Sequence, residues 1–355
     1  MAATSDRPDA PLRRGWTTGA CAAAATKAAY AALMTGHFPD PVSITLPKGE
    51  SASFPLAIEE KGEGWAKAGI VKDAGDDPDV THGCTVIATL RASSSGSGIT
   101  YRAGEGVGVV TKEGLPVPPG EPAINPVPRQ MIARAIADVG GSGDVEVEIS
   151  IPGGADIAAK TWNPRLGIVG GLSILGTTGI VHPFSCSAWI ASIHRGVDVA
   201  RAQGLHHIAG CTGSTSEDAV RALYDLPLEA MIDMGDFVGG LVKYVRAHPV
   251  ERLTIGGGFG KMVKLAQGAL DLHSARSQVD LDWLAAHVPP ELAPAIRSAT
   301  SASHAEALCR DASFDIAQLI AGEALAAVKT ILRDAPTQAN IVIVSRTGEI
   351  IARAG

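Results

Sequence analysis

Leu205-His-His-Ile-Ala-Gly-Cys-Thr-Gly-Ser-Thr-Ser-Glu217 is a short apolar run that breaks into glycines and hydroxyl side chains, then continues as a helix from about Asp218. The alternation recurs downstream. Glu229-Ala-Met-Ile-Asp-Met-Gly235 reads as a second strand before a helix through Phe237 to His248. Arg252-Leu-Thr-Ile255 reads as a third, leading through the loop Gly256-Gly-Gly-Phe-Gly-Lys261 into a helix from Met262. Strands joined by crossover helices form a parallel sheet, and such sheets hold ligands at the carboxyl ends of their strands. The spacing predicts a Rossmann-like α/β domain over 185–355, with C-terminal helices and a hairpin at 340–353 that either joins this sheet or returns to the first domain.

Upstream the chain changes character. Val42-Ser-Ile-Thr-Leu and Asp144-Val-Glu-Val-Glu-Ile-Ser-Ile alternate as strands do, with acidic and Pro-rich loops between, and predict an α+β domain over 1–184. Between the two styles lies 163–183, with five glycines from Gly167 to Gly179. Glycine at that density costs backbone entropy and makes sense where a backbone or a ligand comes close. The stretch therefore reads as a hinge whose Gly170, Gly171, Gly176, Thr177, Thr178 and Gly179 also form a cleft wall. On that reading a bulky residue at Gly176 harms activity more than folding.

Composition sets the outer bounds. A chain of 355 residues with 46% hydrophobic and 19% charged residues is a folded protein of two domains. Its net charge of -7 lacks the basic footprint of a nucleic-acid binder. No uninterrupted apolar run reaches the roughly 18 residues of a membrane span, and residues 1–10 lack a leader's apolar core; a cytoplasmic protein is expected. Five cysteines, Cys21, Cys84, Cys186, Cys211 and Cys309, are odd in number without a CxxC pair, which fits buried free thiols better than disulfides or zinc.

Several stretches carry candidate chemistry. Arg13 and Arg14 precede a helix that Thr17 or Thr18 can cap and Gly36 can end; it is either a packing helix or one whose N-terminus faces an anionic ligand. Asp73, Asp76, Asp77, Asp79 and His82 crowd one loop. They admit a divalent cation, although EF-hand spacing is missing, or Asx turns beside Pro78, or contact with a polar substrate, with His82 as a proton-transfer group. Gly104, Gly106 and Gly108 have no helix after them, so a tight hairpin whose glycines let something pack against the backbone is expected there rather than a dinucleotide site. In the 210–217 loop Gly210, Thr212, Gly213, Ser214, Thr215, Ser216 and Glu217 can hold a carboxylate or phosphate, but no Gly-Lys-Ser/Thr makes it a P-loop. Gly257, Gly258 and Gly260 repeat the logic, with Lys261 as a cation. Asp233, about twenty residues past the first loop, is placed to grip ribose hydroxyls, which points to an adenosine-containing ligand; Asp236 can cap the next helix.

Longer motifs occur together and in one order: Arg14-Gly-Trp-Thr-Thr-Gly-Ala-Cys-Ala-Ala-Ala-Ala, Lys72-Asp-Ala-Gly-Asp-Asp-Pro-Asp-Val-Thr-His-Gly, Gly104-Glu-Gly-Val-Gly, Gly120-Glu-Pro-Ala-Ile-Asn-Pro-Val-Pro-Arg, the 163–183 stretch, Gly213-Ser-Thr-Ser-Glu and Gly257-Gly-Phe-Gly-Lys-Met-Val-Lys-Leu-Ala. Together they resemble the cobalt-precorrin-5B C1-methyltransferases (CbiD) from about Leu12 to His273, and more loosely beyond. The resemblance implies methyl transfer from S-adenosyl-L-methionine to C1 of a cobalt-bearing, ring-contracted tetrapyrrole, and a fold unlike that of the tetrapyrrole methylases. It implies no metal held by the protein, because the cobalt arrives inside the macrocycle. Adenosine would lie on the 210–217 and 256–261 loops and the tetrapyrrole between the halves. The macrocycle's carboxylates would call on Arg13, Arg14, Lys72, Arg129, Arg165 and Lys261, beside Thr17, Thr18, Asp73, Gly176, Thr177 and Thr178. Asp77 or His82 would accept any proton released. Neither nucleic acid nor membrane is expected as a partner, and assembly with further copies of the chain stays open. Two other classes also stay open: a tetrapyrrole carrier without methyl transfer, and an NAD-dependent oxidoreductase, for which the 210–217 loop lacks G-x-G-x-x-G.

Overall fold

The computed structural model of the chain describes residues 11–355; the first ten, which bear on the leader-peptide expectation, lie outside the described residues. The chain divides into two compact mixed α/β units, one ending at Ser185 and the other running from Cys186 to Gly355. Among the described residues no helix is long and apolar enough to cross a membrane.

The first unit is built round a helix with almost no side chains. β1 (Gly15–Trp16) leads into α1 (Thr18–Thr35). Thr17 caps that helix by accepting from the Ala20 N–H, and Gly36 ends it in the left-handed region with its N–H on the Ala32 carbonyl. Ala20, Cys21 and Ala22 to Ala25 are all fully buried. A helix apolar on every side belongs inside, and alanine lets neighbours close in from all directions.

Around α1 run β2 (Val42–Thr45) and β3 (Ser51–Phe54), which form a hairpin, then β4 (Ile58–Gly62), β5 (Trp65–Val71), β6 (Thr85–Ala92), β7 (Ile99–Ala103) and β8 (Val109–Val110). α2 (Pro126–Val139), β9 (Val145–Ser150), α3 (Gly154–Ala158), β10 (Ile168–Val169) and β11 (Ile180–Val181) complete the unit. The main sheet has the order β4-β5-β6-β9-β7, antiparallel except where β7 pairs with β9. α1 packs on β5 and β6 and against α2.

The glycine string after β7 is not the hairpin its spacing predicts. β7 stays paired with β9, and the chain leaves the sheet flush against other backbone: a Cβ on Gly106 would lie 2.8 Å from Gly154 N, and one on Gly108 2.8 Å from Gly171 O. Gly106, at φ +70°, sits in a turn closed by the Val107 N–H on the Gly104 carbonyl at 3.2 Å, and the same glycines let other backbone close in. The 163–183 stretch is likewise woven into this unit, β10 pairing with β8 and β11 with β1.

The second unit begins with α4 (Cys186–Ala202), β12 (His207–Cys211), α5 (Ser214–Tyr224), β13 (Met231–Asp233), α6 (Val238–Ala247), β14 (Arg252–Gly258) and α7 (Phe259–Ala266). It ends with α8 (Leu281–Ala285), α9 (Ala293–Arg297), α10 (Ala302–Asp311), α11 (Ile316–Leu332), β15 (Gln338–Val344) and β16 (Ile350–Ala354). The sheet order is β13-β12-β14-β15-β16, parallel through the first four strands, with β16 antiparallel at the edge. The C-terminal hairpin thus extends this sheet and does not return to the first unit. Its central strands β12, β14 and β15 are apolar: Ile208, Leu253, Ile255, Ile341 and Ile343 are fully buried, as a sheet covered on both faces requires.

Candidate functional site

From β12 the chain crosses to β13 on one side, and from β14 it crosses to β15 on the other. The carboxyl ends of β12 and β14 therefore flank a topological switch point, the crevice where open α/β sheets take their ligands. Register brings the candidate residues level there, since Cys211 stands opposite both Asp233 and Gly256. Gly213 and Gly258 are the N-caps of α5 and α7, and neither cap makes a side-chain hydrogen bond. First-turn N–H groups of both helices are thus left to solvent or ligand.

Two boundaries differ from the sequence-based expectation. α5 starts at Ser214 rather than near Asp218, so Ser214, Thr215, Ser216 and Glu217 form a helical turn and not a loop. Ser216 is buried and its Oγ donates to the Gly213 carbonyl at 2.8 Å, while Ser214 and Thr215 are exposed. β14 runs through Gly258 and passes directly into α7, so 256–261 is no loop either. A glycine run reads as loop from sequence, but here the missing side chains make room for neighbours.

That distinction sorts the glycines. A Cβ on Gly210 would meet Met234 Sδ at 2.9 Å, on Gly256 Val220 Cγ2 at 2.7 Å, and on Gly257 Met262 Cε at 2.7 Å and Thr212 Oγ1 at 2.8 Å. These are packing glycines, and Gly260, 3.4 Å from Ala302, is in ordinary contact. Gly213 and Gly258 have nothing within 4 Å of that position. Their backbones, at φ 170° and −70°, suit any residue. Neither conformation nor packing explains glycine at these two helix starts.

Lys261 is spent inside the unit: its ammonium pairs with Asp236 and donates to the Leu272 carbonyl at 3.0 Å. Buried Lys264 donates to the same carbonyl, and burial, then the Lys261 charge, pulls its pKa down.

In the first unit the acidic loop follows its turn-chemistry reading. Asp73 forms a two-point ion pair with Arg13 and accepts from the Gly75 N–H at 2.9 Å. The Arg13 hydrogen bond, then that of Gly75, holds its carboxyl down to about 2. Asp76 accepts from the Arg13 N–H, and Asp77 Oδ1 from the Phe184 N–H at 2.8 Å. Lys72, 1% exposed, pairs with Asp79 at 2.7 Å. Burial pushes the Asp79 carboxyl up, but hydrogen bonds from Lys72 and Thr81 outweigh it and leave it lowered. His82 is exposed, and its Nδ1 accepts from the Ala74 N–H at 3.1 Å. The tautomer that accepts there carries its proton on Nε2, so the outward nitrogen is a donor. Among the described residues no group of three or more His, Cys, Asp or Glu could hold a metal ion.

Other candidates in this unit also have structural partners. Thr18 Oγ1 donates to the Leu175 carbonyl and accepts the Leu175 N–H at 3.0 Å. Thr178 Oγ1 accepts from the Ile180 N–H, while Thr177 is exposed. Gly176 lies on the Thr17 cap: a Cβ there would stand 2.5 Å from Thr17 Cβ. Arg129 is engaged within the unit: it binds the Ile124 and Pro122 carbonyls and Glu121 and covers the Tyr101 ring. Arg165 is half-buried. Arg14 is exposed and has no acidic partner among the described residues. Sequence reasoning passed over Asn163, which is buried and ties its stretch together by donating to the Gly171 carbonyl at 2.9 Å and accepting from Ser173 Oγ at 3.0 Å. A buried amide cannot be told from a surface one in a single sequence.

Comparison with known proteins adds an independent line. Residues 5–183 match the family model CbiD, and residues 271–355 match the family model CbiD, C-terminal domain. A Cobalt-precorrin-5B C(1)-methyltransferase of Brucella canis is 61% identical over 353 residues, covering 97% of this chain and 96% of the relative. Another with the same name, from Brucella anthropi, is 59% identical over the same shares. A solved structure, the cobalamin biosynthesis protein (cbiD) from Archaeoglobus fulgidus, is 26% identical with 85% of each chain covered and a TM-score of 0.39.

Proposed function

The chain belongs to the CbiD family, and from that premise we propose that it is a cytoplasmic C-methyltransferase of cobalamin biosynthesis, methylating C1 of cobalt-precorrin-5B to give cobalt-precorrin-6A. The observation that carries this is the 61% identity over 97% of the chain to a relative of that name.

We propose S-adenosyl-L-methionine as the donor and the second unit as a Rossmann-like domain that holds it. Gly213 and Gly258, bare and uncapped on either side of the switch point, support this, since a glycine that neither packing nor φ requires lets a ligand reach the backbone. In this proposal Asp233 holds the ribose and the exposed first turn of α5 meets a polar end of the donor. When bound, the donor supplies a methyl group already activated on a sulfonium. The chain's own residues then have to hold both partners in line and keep water away, which demands positioning more than a strong base.

The tetrapyrrole carries its own cobalt, so this chemistry asks for no metal ligands from the chain. For the macrocycle's carboxylates we propose Arg14 as the first-unit cation still open, because Arg13, Lys72 and Arg129 are already paired. A released proton is assigned to Asp77 rather than His82, whose accepting nitrogen is engaged.

The test is anaerobic incubation of the full chain with donor and cobalt-precorrin-5B. A mass gain of one methyl group is expected; folded protein with competent substrate and no gain refutes it. Calorimetry with S-adenosylhomocysteine separates a methyltransferase from a carrier, which has no reason to bind it.

A further inference from the structure

We infer that Trp189 is a positioning residue of the donor site, holding the strand-end turn that presents Asp233. This rests on the ribose placement proposed above. Trp189 lies in the first turns of α4, and its Nε1–H donates to the Asp233 carbonyl at 3.1 Å. The ring passes beside Gly235, where a Cβ would lie 3.2 Å from Trp189 Cζ2, and tilts at 52° onto Phe237 with centroids 6.2 Å apart. Glycines seat α4 closely enough to fix the indole: a Cβ on Gly196 would be 3.0 Å from Ile232, and one on Gly240 3.2 Å from Ile190. The far side of the same turn is tied separately, by Lys261 on Asp236 and by the Asp236 carbonyl accepting from the Leu272 N–H at 2.8 Å. The indole bonds the main chain of the residue assigned to the ribose directly.

Trp189 packs with one side open, 43% exposed, and gives its one donor to a strand-terminal carbonyl. Losing that bond leaves the Asp233 peptide to its other tie, the Met234 N–H on the Ile232 carbonyl at 2.8 Å, and a carboxylate displaced by a fraction of an ångström no longer meets both hydroxyls.

W189F keeps the ring and removes the donor. Calorimetry on the full chain compares S-adenosylhomocysteine with its 2′,3′-dideoxy counterpart for wild type, W189F and D233N. W189F is expected to weaken S-adenosylhomocysteine about three- to tenfold, the worth of one hydrogen bond. It should leave the dideoxy ligand within about twofold and kcat at saturating donor unchanged. If D233N weakens the natural ligand selectively and W189F does not, Trp189's role is overturned while the ribose placement stands. If D233N fails to distinguish the two ligands, the ribose placement falls and Trp189's role with it. Equal weakening of both ligands by W189F, or loss of its fold, makes the indole merely structural and also overturns the inference.

Discussion

Replacing Gly176 by alanine tests whether 163–183 is cleft wall or framework. Gly176 has φ +130°, a region L side chains rarely adopt, and its new methyl would sit 2.5 Å from Thr17 Cβ and 2.6 Å from Thr17 Cγ2. Backbone strain costs about 1–2 kcal/mol, the overlap about 1–3 kcal/mol, and displacing the Thr17 cap on Ala20 about 1 kcal/mol. A loss of about 3–6 kcal/mol is therefore expected in the first unit. At a urea slope near 2 kcal/mol/M that is a midpoint shift of about 2 M, read by far-UV circular dichroism. This reverses the sequence-based expectation that activity suffers before folding. A shift below about 0.5 M together with lost methyl transfer would refute the steric reasoning and restore the cleft-wall role.

Gly213→Ala and Gly258→Ala should cost no more than about 1 kcal/mol of stability, from alanine's poorer N-cap preference, while weakening S-adenosylhomocysteine at least about tenfold by calorimetry. Gly257→Ala, which collides with Met262 and Thr212, should instead cost about 1–3 kcal/mol of stability in the second unit. Lys72→Met leaves Asp79 without its buried partner and should cost about 3 kcal/mol by urea unfolding. Asp73 has its carboxyl lowered from 3.8 to about 2, so its contribution is complete above about pH 4 and lost as pH falls from 4 to 2; D73N should flatten the first unit's stability profile in that window. His207 is lowered from 6.5 to about 4 by burial and then by Arg252, so its contribution is complete above pH 6.5 and lost as pH falls towards 4. Unfolding of H207N against wild type at pH 7 and pH 5 should show that slope diminished in the variant.

Local chemistry was legible in the chain. Thr17 and Gly36 announce the ends of α1, the 205–262 rhythm announces the parallel strands, and the Asx pattern announces the acidic turn, because each depends on residues close together in sequence. The glycine runs were less transparent. Gly256 to Gly258 read as a loop and are strand, since glycine marks a missing side chain without saying whether a turn, a neighbour or a ligand needs the space. The charged candidates show the same limit: Lys72, Arg129 and Lys261 find their partners inside the fold, which spacing cannot disclose.

By itself, then, the sequence determined the element types, the mixed α/β character and, through long ordered motifs, the family. Only the tertiary structure decided which glycines are packed and which are bare, and which cations remain open. It also decided that the hairpin of β15 and β16 lies beside β14, and that the 163–183 stretch is pinned onto the α1 cap. The reason is physical: propensity and capping act over a few residues, whereas burial, collision and charge pairing are set by chain segments brought together from far apart.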